Sequence, residues 1–225
     1  LIAVPFALFL AYLFTQLGYL GLAILFFPLL ASRYIFQAYV RIQETYADTV
    51  QALMATVDKK FGQTGRNQKV YQYARQVSQS LGLSPDEAEL VGYASYLRHI
   101  GLLGLENSML EITLSQPLWS SSPVVAEALL AGSQILEKTE QLRKAAPFIR
   151  LHHEKWNGSG PWRLKEEQIP MGARIIAVCE FLEEQEFRGR SRAEIVKQLE
   201  EKSGHDFDPA VVRALLSSLE KEKNE

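Results

Sequence analysis

Apolar positions run without interruption through residues 1–14 (LIAVPFALFLAYLF), a stretch too short to cross a bilayer alone at about 1.5 Å per residue against a core of about 30 Å. It reads as the end of a membrane helix whose start lies upstream, because the chain begins with Leu1 already inside the apolar run. Thr15-Gln16-Leu17-Gly18 offers a turn, and Leu17 to Phe36 then supplies a second apolar stretch long enough to span. Pro28 is placed to kink it and Tyr34 to anchor at an interface. A signal peptide fits poorly, since no basic segment precedes the apolar one and the run exceeds the usual length.

Beyond the span the pattern becomes amphipathic. Ile35, Tyr39, Ile42, Tyr46, Thr49 or Val50, Leu53 and Val57 recur at three- and four-residue steps. A helix of this kind carries a signal or pairs with a second subunit, or else packs on its own domain; the pattern leaves both open. After Gly62 and Gly65 the remainder reads all-α. Ser84-Pro85-Asp86-Glu87 combines a cap, a proline in the first turn and a capping-box glutamate, and Ser191-Arg192-Ala193-Glu194 repeats the box. Ser122-Pro123 and Asp208-Pro209 open further helices. Apolar-periodic stretches fall at 86–97, 124–136, 140–150 and 171–182, and no stretch alternates with period two long enough to demand a sheet. Lys221 to Glu225 reads as a frayed charged tail.

Charge sharpens the division. The formal net charge of the 225 residues is −2, so no global positive field draws in nucleic acid. Arg33 is the one formal charge in residues 1–36, which marks a membrane segment ahead of a soluble part. Arg33, Arg41, Lys59 and Lys60 follow the span, and the positive-inside tendency puts the C-terminal side in the cytoplasm of a bacterial cytoplasmic membrane. The lone Cys179 excludes an internal disulfide and, inside Ile175-Ile176-Ala177-Val178-Cys179, reads as a small buried hydrophobe. The expected organisation is a transmembrane segment at 1–36, a linker helix at 37–60, a helical domain at 61–218 and a tail at 219–225.

Two segments carry a specific likeness. His152-His153-Glu154-Lys155-Trp156-Asn157-Gly158-Ser159-Gly160, then Leu164, then Ile169-Pro170-Met171-Gly172-Ala173-Arg174-Ile175-Ile176-Ala177-Val178 resembles the HD-GYP family stretch HHERWDGSGYP…L…IPLGARIIAVAD. Ser95-Tyr96-Leu97-Arg98-His99-Ile100-Gly101-Leu102-Leu103-Gly104-Leu105 has the frame of that family's ALLHDIGKIGI. Gly65-Arg66-Asn67-Gln68-Lys69-Val70 resembles GHSERV, and Gly204 to Pro209 resembles GTQFDP. The likeness covers roughly residues 58–218. It implies an HD-domain-like helical bundle. Active members hold two or three metal ions, usually iron or manganese, and hydrolyse cyclic di-GMP or related dinucleotides.

The same resemblance implies that much of the ligand set has changed. Arg98 stands at the motif histidine, and a guanidinium has no lone pair to give. His99 stands at the motif aspartate, Arg66 at the early histidine, Leu102 at the motif lysine and Ala128 at a mid-domain histidine, aligned through Gly132, Ile135 and Leu136. Gly160-Pro161-Trp162 replaces Gly-Tyr-Pro. His152, His153 and Glu180 survive as vestigial ligands; three suffice in principle for one ion, but two flanking arginines oppose it. The expectation is therefore a membrane-anchored pseudoenzyme with no catalytic residue, no metal and no cofactor. It would act as a regulatory or scaffolding subunit, meeting protein partners or a second copy through the linker helix. Two alternatives stay open. One is a sensor binding a cyclic dinucleotide without hydrolysis in an anion pocket of Arg66, Arg98, Lys155 and Trp156. The other is a weak cyclic di-GMP phosphodiesterase with a reduced metal site.

Overall fold

A computed structural model gives the fold and describes residues 9, 11, 12, 14–61, 64–104 and 123–222. Most of the 1–14 stretch, Gly62, Leu105, Ser122 and the last three residues lie outside them. The chain divides into two compact units, Leu1–Val50 and Gln51–Glu225.

In the first unit Gly18 takes φ 58°, and its N–H donates to the Phe14 carbonyl at 2.8 Å. Glycine adopts this left-handed conformation without steric cost, so the turn sits where the sequence places it. From there a single helix, α1 (Tyr19–Phe61), runs through both the apolar span and the amphipathic stretch, which the sequence reading had separated after residue 36. No glycine stands between Phe36 and Phe61, and Pro28 alone interrupts the helical bonding inside it. By length and composition Tyr19–Ile42 is able to cross a membrane, and it is the one such helix among the described residues. Its Tyr19, Phe27, Tyr34 and Phe36 side chains are exposed, as lipid-facing side chains are.

The second unit is all-α. It holds α2 (Thr64–Ser80), α3 (Pro85–Tyr96), α4 (Pro123–Glu137), α5 (Ala146–Leu151), α6 (Met171–Phe187), α7 (Arg192–Lys202) and α8 (Pro209–Glu222). Short 3-10 turns lie at Ile100–Gly104, Arg143–Ala145 and Glu166–Gln168. Among the described residues the sole β pairing is one isolated bridge between Ser203 and Phe207. Both capping boxes form: the Glu87 carboxylate accepts from the Ser84 N–H at 2.9 Å, and Glu194 accepts from the Ser191 N–H at 2.9 Å. The 140–150 stretch does not form one helix. A 3-10 turn precedes α5, whose first turn contains Pro147, a residue that can start a helix but cannot donate within one. Helix α8 extends through Glu222 and buries Leu219, so part of the stretch read as a tail is folded.

Helix α6 is the pillar of this unit. It packs against α2, α3, α5, α7 and α8, and Ile175, Ile176, Val178, Cys179 and Leu182 are fully buried on it. The apolar run Ile175–Cys179 has no polar face and belongs in a core, and each fully buried Ile or Leu contributes about 1.5–3 kcal/mol. Burial raises the Cys179 thiol well above its ordinary range, as fits an inert core cysteine. The 3-10 turn after α3 lies tight against α4. A Cβ added at Gly101 would sit 1.8 Å from the Ala128 carbonyl oxygen, so only glycine allows the approach.

Gly101→Ala must push α4 away and should destabilise the full chain by about 1–3 kcal/mol. Gly104→Ala, where a Cβ meets nothing within 4 Å, should leave the unfolding midpoint close to the original. Chemical unfolding of the full chain in detergent compares the two.

Candidate metal centre

Four helices bring the site together. Arg66 and Asn67 lie in the first turn of α2, Arg98 and His99 just past the end of α3, His152 and His153 at the end of α5, and Glu180 halfway along α6. Every member except Arg66 is buried. At the centre is the Glu180 carboxylate, and its two oxygens have different company. Oε1 accepts from Arg98 Nε at 2.6 Å and lies 3.2 Å from His99 Nε2. Oε2 faces the other way, 3.5 Å from His152 Nε2 and 3.9 Å from His153 Nε2.

The His152 tautomer is set by its neighbour. Its Nδ1 lies 2.6 Å from the Ile149 carbonyl, which can only accept, so Nδ1 carries the proton and Nε2 presents a lone pair. Neither His152 Nε2 nor Glu180 Oε2 has a hydrogen-bond partner among the described residues. Two buried acceptors aimed at each other are unfavourable unless a proton or a cation lies between them. One ligand atom from each of His152, His153 and Glu180 fits within a set whose members lie within 4.8 Å of one another. An ion with bonds of about 2.0–2.2 Å holds its ligand atoms roughly 3–4 Å apart, and the 3.5 and 3.9 Å separations of the two histidine nitrogens from Oε2 fall in that range.

The electrostatics suit that role. Burial holds the His152 imidazole down to about 4, against the opposing pull of Glu180, and burial with the adjacent His152 holds His153 down to about 3. His99 is lowered by burial and by Arg98. Burial alone would push the Glu180 carboxyl up, but the Arg98 guanidinium and then His99 hold it well below the usual carboxylate range. At neutral pH the trio therefore offers two neutral imidazoles and a carboxylate, the protonation states a transition-metal ion requires.

The remaining sequence candidates are placed elsewhere. Arg66 donates to Glu183 at 2.6 and 2.9 Å and to Glu184 at 2.8 Å, with its guanidinium carbon 3.9 Å from the Phe187 ring centroid. Ala128 is buried, with its carbonyl against Gly101, and offers no side-chain donor atom. Lys155 pairs with Asp206 at 3.3 Å, and the Trp156 ring lies under the Arg174 guanidinium at 5.6 Å. Each of the three cations in the expected anion pocket thus pairs with a carboxylate. Glu154 accepts from the Trp162 and Leu164 N–H groups at 2.7 Å each and so organises the loop that carries Gly160-Pro161-Trp162.

Sequence reasoning missed Glu183 and Glu184, although the signal was present: positions 180, 183, 184 and 187 form one stripe along a helix. It also missed Asp58 and Asn67. Asn67 Oδ1 accepts from Arg98 at 3.2 Å, and Asn67 Nδ2 donates to Asp58 at 3.0 Å. No local pattern marks those two.

Comparison with known proteins places this geometry in a family. A family model described as HD domain matches residues 51–211. The chain is 28% identical over 191 residues to a 3′3′-cGAMP-specific phosphodiesterase of Vibrio cholerae, covering 79% of this chain and 35% of that protein. It is 28% identical over 155 residues to a cyclic di-GMP phosphodiesterase of Thermotoga maritima, covering 65% of this chain and 41% of that one. The chain spans less than half the length of either curated relative. Among solved structures, a cyclic GMP-AMP specific phosphodiesterase of V. cholerae superposes with TM-score 0.62 at 20% identity, over 76% of this chain and 48% of that one. An HDG"Y"P protein from Bdellovibrio bacteriovorus superposes with TM-score 0.57 at 20% identity, over 79% and 64%. Both carry the same helical fold.

These findings correct the expectation of an inactive scaffolding subunit that is not an enzyme. The curated relatives are named as phosphodiesterases, and the buried trio His152, His153 and Glu180 has the makings of a metal site. The expectation failed for a physical reason. It treated Arg98 as a cation aimed at the metal position, whereas the guanidinium is bound to the far oxygen of Glu180.

The histidines give this centre a pH signature. Their folded values lie below the unfolded value of about 6.5, so unfolding takes up protons in acid. The stability they confer is complete above pH 6.5 and is lost as pH falls from there through 4 toward 3. Thermal unfolding of the metal-free full chain should show this slope, at most about 2.7 kcal/mol per pH unit for two protons. A His152→Asn/His153→Asn variant should show a shallower slope, keeping only the share of His99 and the buried carboxylates; an unchanged slope would mean that both rings titrate normally in the folded protein.

Proposed function

The chain belongs to the HD domain family, and on that premise we propose that it is a metal-dependent phosphodiesterase acting on cyclic dinucleotides through a reduced, single-ion site. The observation that carries this reading is the pair of buried acceptors, His152 Nε2 and Glu180 Oε2, facing each other at 3.5 Å with no hydrogen-bond partner for either among the described residues. His152, His153 and Glu180 would hold the ion. Two imidazole nitrogens and one carboxylate oxygen suit a first-row transition ion such as manganese, iron or zinc. When bound, such an ion lowers the pKa of a water and offsets the charge on the phosphoryl oxygens. The chain's own residues prepare the site: Ile149 fixes the His152 tautomer, and Arg98 with His99 keeps Glu180 ionised. The substrate class is supported by the relatives, which are named for cyclic di-GMP and 3′3′-cGAMP.

The reading extends to location. The helix Tyr19–Ile42 would anchor the chain in the bacterial cytoplasmic membrane. Arg33, Arg41, Lys59 and Lys60 hold its C-terminal side in the cytoplasm. The proposed organisation is a membrane segment at 1–36, a helical linker at 37–60 and the catalytic domain at 61–218.

The full chain in detergent, loaded with Mn²⁺ or Fe²⁺, should linearise cyclic di-GMP or 3′3′-cGAMP, and His152→Ala should drop the rate to background. Binding of either dinucleotide with no turnover under any of these ions would refute the enzyme reading. Metal analysis should count one ion per chain. Arg98→His combined with His99→Asp restores a lone-pair donor and a carboxylate, and should raise that count toward two; a count fixed at one would argue against the frame in which Arg98 stands at a former ligand position.

A further inference from the structure

A chain of buried polar groups leads from the last turn of α1 to the candidate metal centre. The Asp58 carboxylate accepts from the Tyr96 hydroxyl and, at 3.0 Å, from Asn67 Nδ2. Asn67 Oδ1 accepts from an Arg98 terminal nitrogen at 3.2 Å, and that nitrogen also donates to the Ser95 carbonyl at 2.8 Å. Arg98 Nε then reaches Glu180 Oε1 at 2.6 Å. All five residues Asp58, Asn67, Tyr96, Arg98 and Glu180 are buried, so water cannot replace a missing partner cheaply.

Each link has a direction. Asp58 has only acceptors to offer, so it draws the Nδ2 side of the Asn67 amide and turns Oδ1 toward Arg98. A flipped amide would set acceptor against acceptor at Asp58 and donor against donor at Arg98. Asn67 and the Ser95 carbonyl together hold Nη1, on the opposite edge of the guanidinium from the Nε–H, and so fix the orientation in which Nε meets Glu180. An arginine free to choose beside a buried carboxylate takes both oxygens with its fork. Here the pairing uses one oxygen, and the other stays turned toward His152 and His153.

We infer that Asp58 and Asn67 are positioning residues for the metal centre: by fixing the Arg98 guanidinium they restrict it to Oε1 and keep Glu180 Oε2 available as a ligand. This rests on the single-ion reading above. If either residue is removed, Arg98 closes its fork on Glu180 and competes with the ion for Oε2.

Mn²⁺ titration of the metal-free full chain in detergent by calorimetry tests this, with the midpoint of metal-free thermal unfolding measured alongside. Asp58→Ala and Asn67→Ser should each weaken Mn²⁺ binding about 10–100-fold, the range seen when groups orienting a ligand are lost. Asp58→Asn, which can still present an oxygen to Asn67, should stay within about threefold of the original on the same scale. In an Arg98→Gln background, Asp58→Ala should change Mn²⁺ affinity no further, because the competing fork is gone. Mn²⁺ binding by the original chain with equal affinity in Asp58→Ala or Asn67→Ser overturns the positioning role and leaves the metal site standing. A fall of the same size in the Arg98→Gln background also overturns it, since the effect then bypasses Arg98. No Mn²⁺ binding by the original chain overturns the single-ion reading and the positioning role with it.

Discussion

The bond between Arg98 Nε and Glu180 Oε1 is the constraint around which the site is arranged. A carboxylate as fully buried as Glu180 would ordinarily take up a proton rather than remain charged. Protonated, it would be a poor ligand. The guanidinium at 2.6 Å keeps it ionised, which is the state a metal ligand needs. The pair is not a source of net stability by itself, since taking two charges out of water costs about as much as their attraction returns. Its effect is to fix a charge state and an orientation.

That pairing depends on the packing of the core. Glu180 is held by α6, whose buried positions around it, Ile176, Ala177, Val178, Cys179, Phe181 and Leu182, are apolar and packed among five neighbouring helices. Arg98 follows α3 where the chain enters the 3-10 turn that only Gly101 allows to sit against α4. The same face of α6 places Glu183 and Glu184 one turn further along, where they take Arg66. One helix therefore neutralises both arginines that the sequence set among former ligands, each at a different level. Arg66 is drawn aside to the Phe187 end of the stripe, and Arg98 is retained beside the histidines.

Much of the fold was legible because its signals are local. Ser84 with Glu87 and Ser191 with Glu194 announce helix starts within four residues, and the structure closes both boxes. The family motifs placed His152, His153 and Glu180 in one centre, and the structure gathers those three. The consequence of Arg98 was not legible. Its chemistry was judged from residue type, which states that a guanidinium cannot ligate but not which oxygen it will occupy. That choice is made by Asn67 and Asp58, separated from Arg98 by long stretches of chain and recognisable only once helices α1, α2 and α3 are assembled. Continuity of α1 past residue 36 was likewise hidden, because a change from apolar to amphipathic pattern alters what a helix faces without ending it.

A covalently held cation and an exchangeable one are not equivalent, and this bears on how such a site works. A second metal would bind Glu180 through the same lone pairs and would also activate a water or grip a phosphoryl oxygen. Arg98 supplies the charge that keeps Glu180 ionised but none of the ligand chemistry, and its side chain is 1% exposed, so it does not reach substrate from where it stands. On the proposed single-ion reading, the electrostatic part of a two-cation arrangement would be kept and the Lewis-acid part reduced to one ion. The guanidinium would also repel a divalent cation at the proposed site, an effect moderated because Glu180 turns one oxygen to Arg98 and the other to the histidines. Placed between the two, the carboxylate would lower the repulsion that a cation at Oε2 meets from the guanidinium.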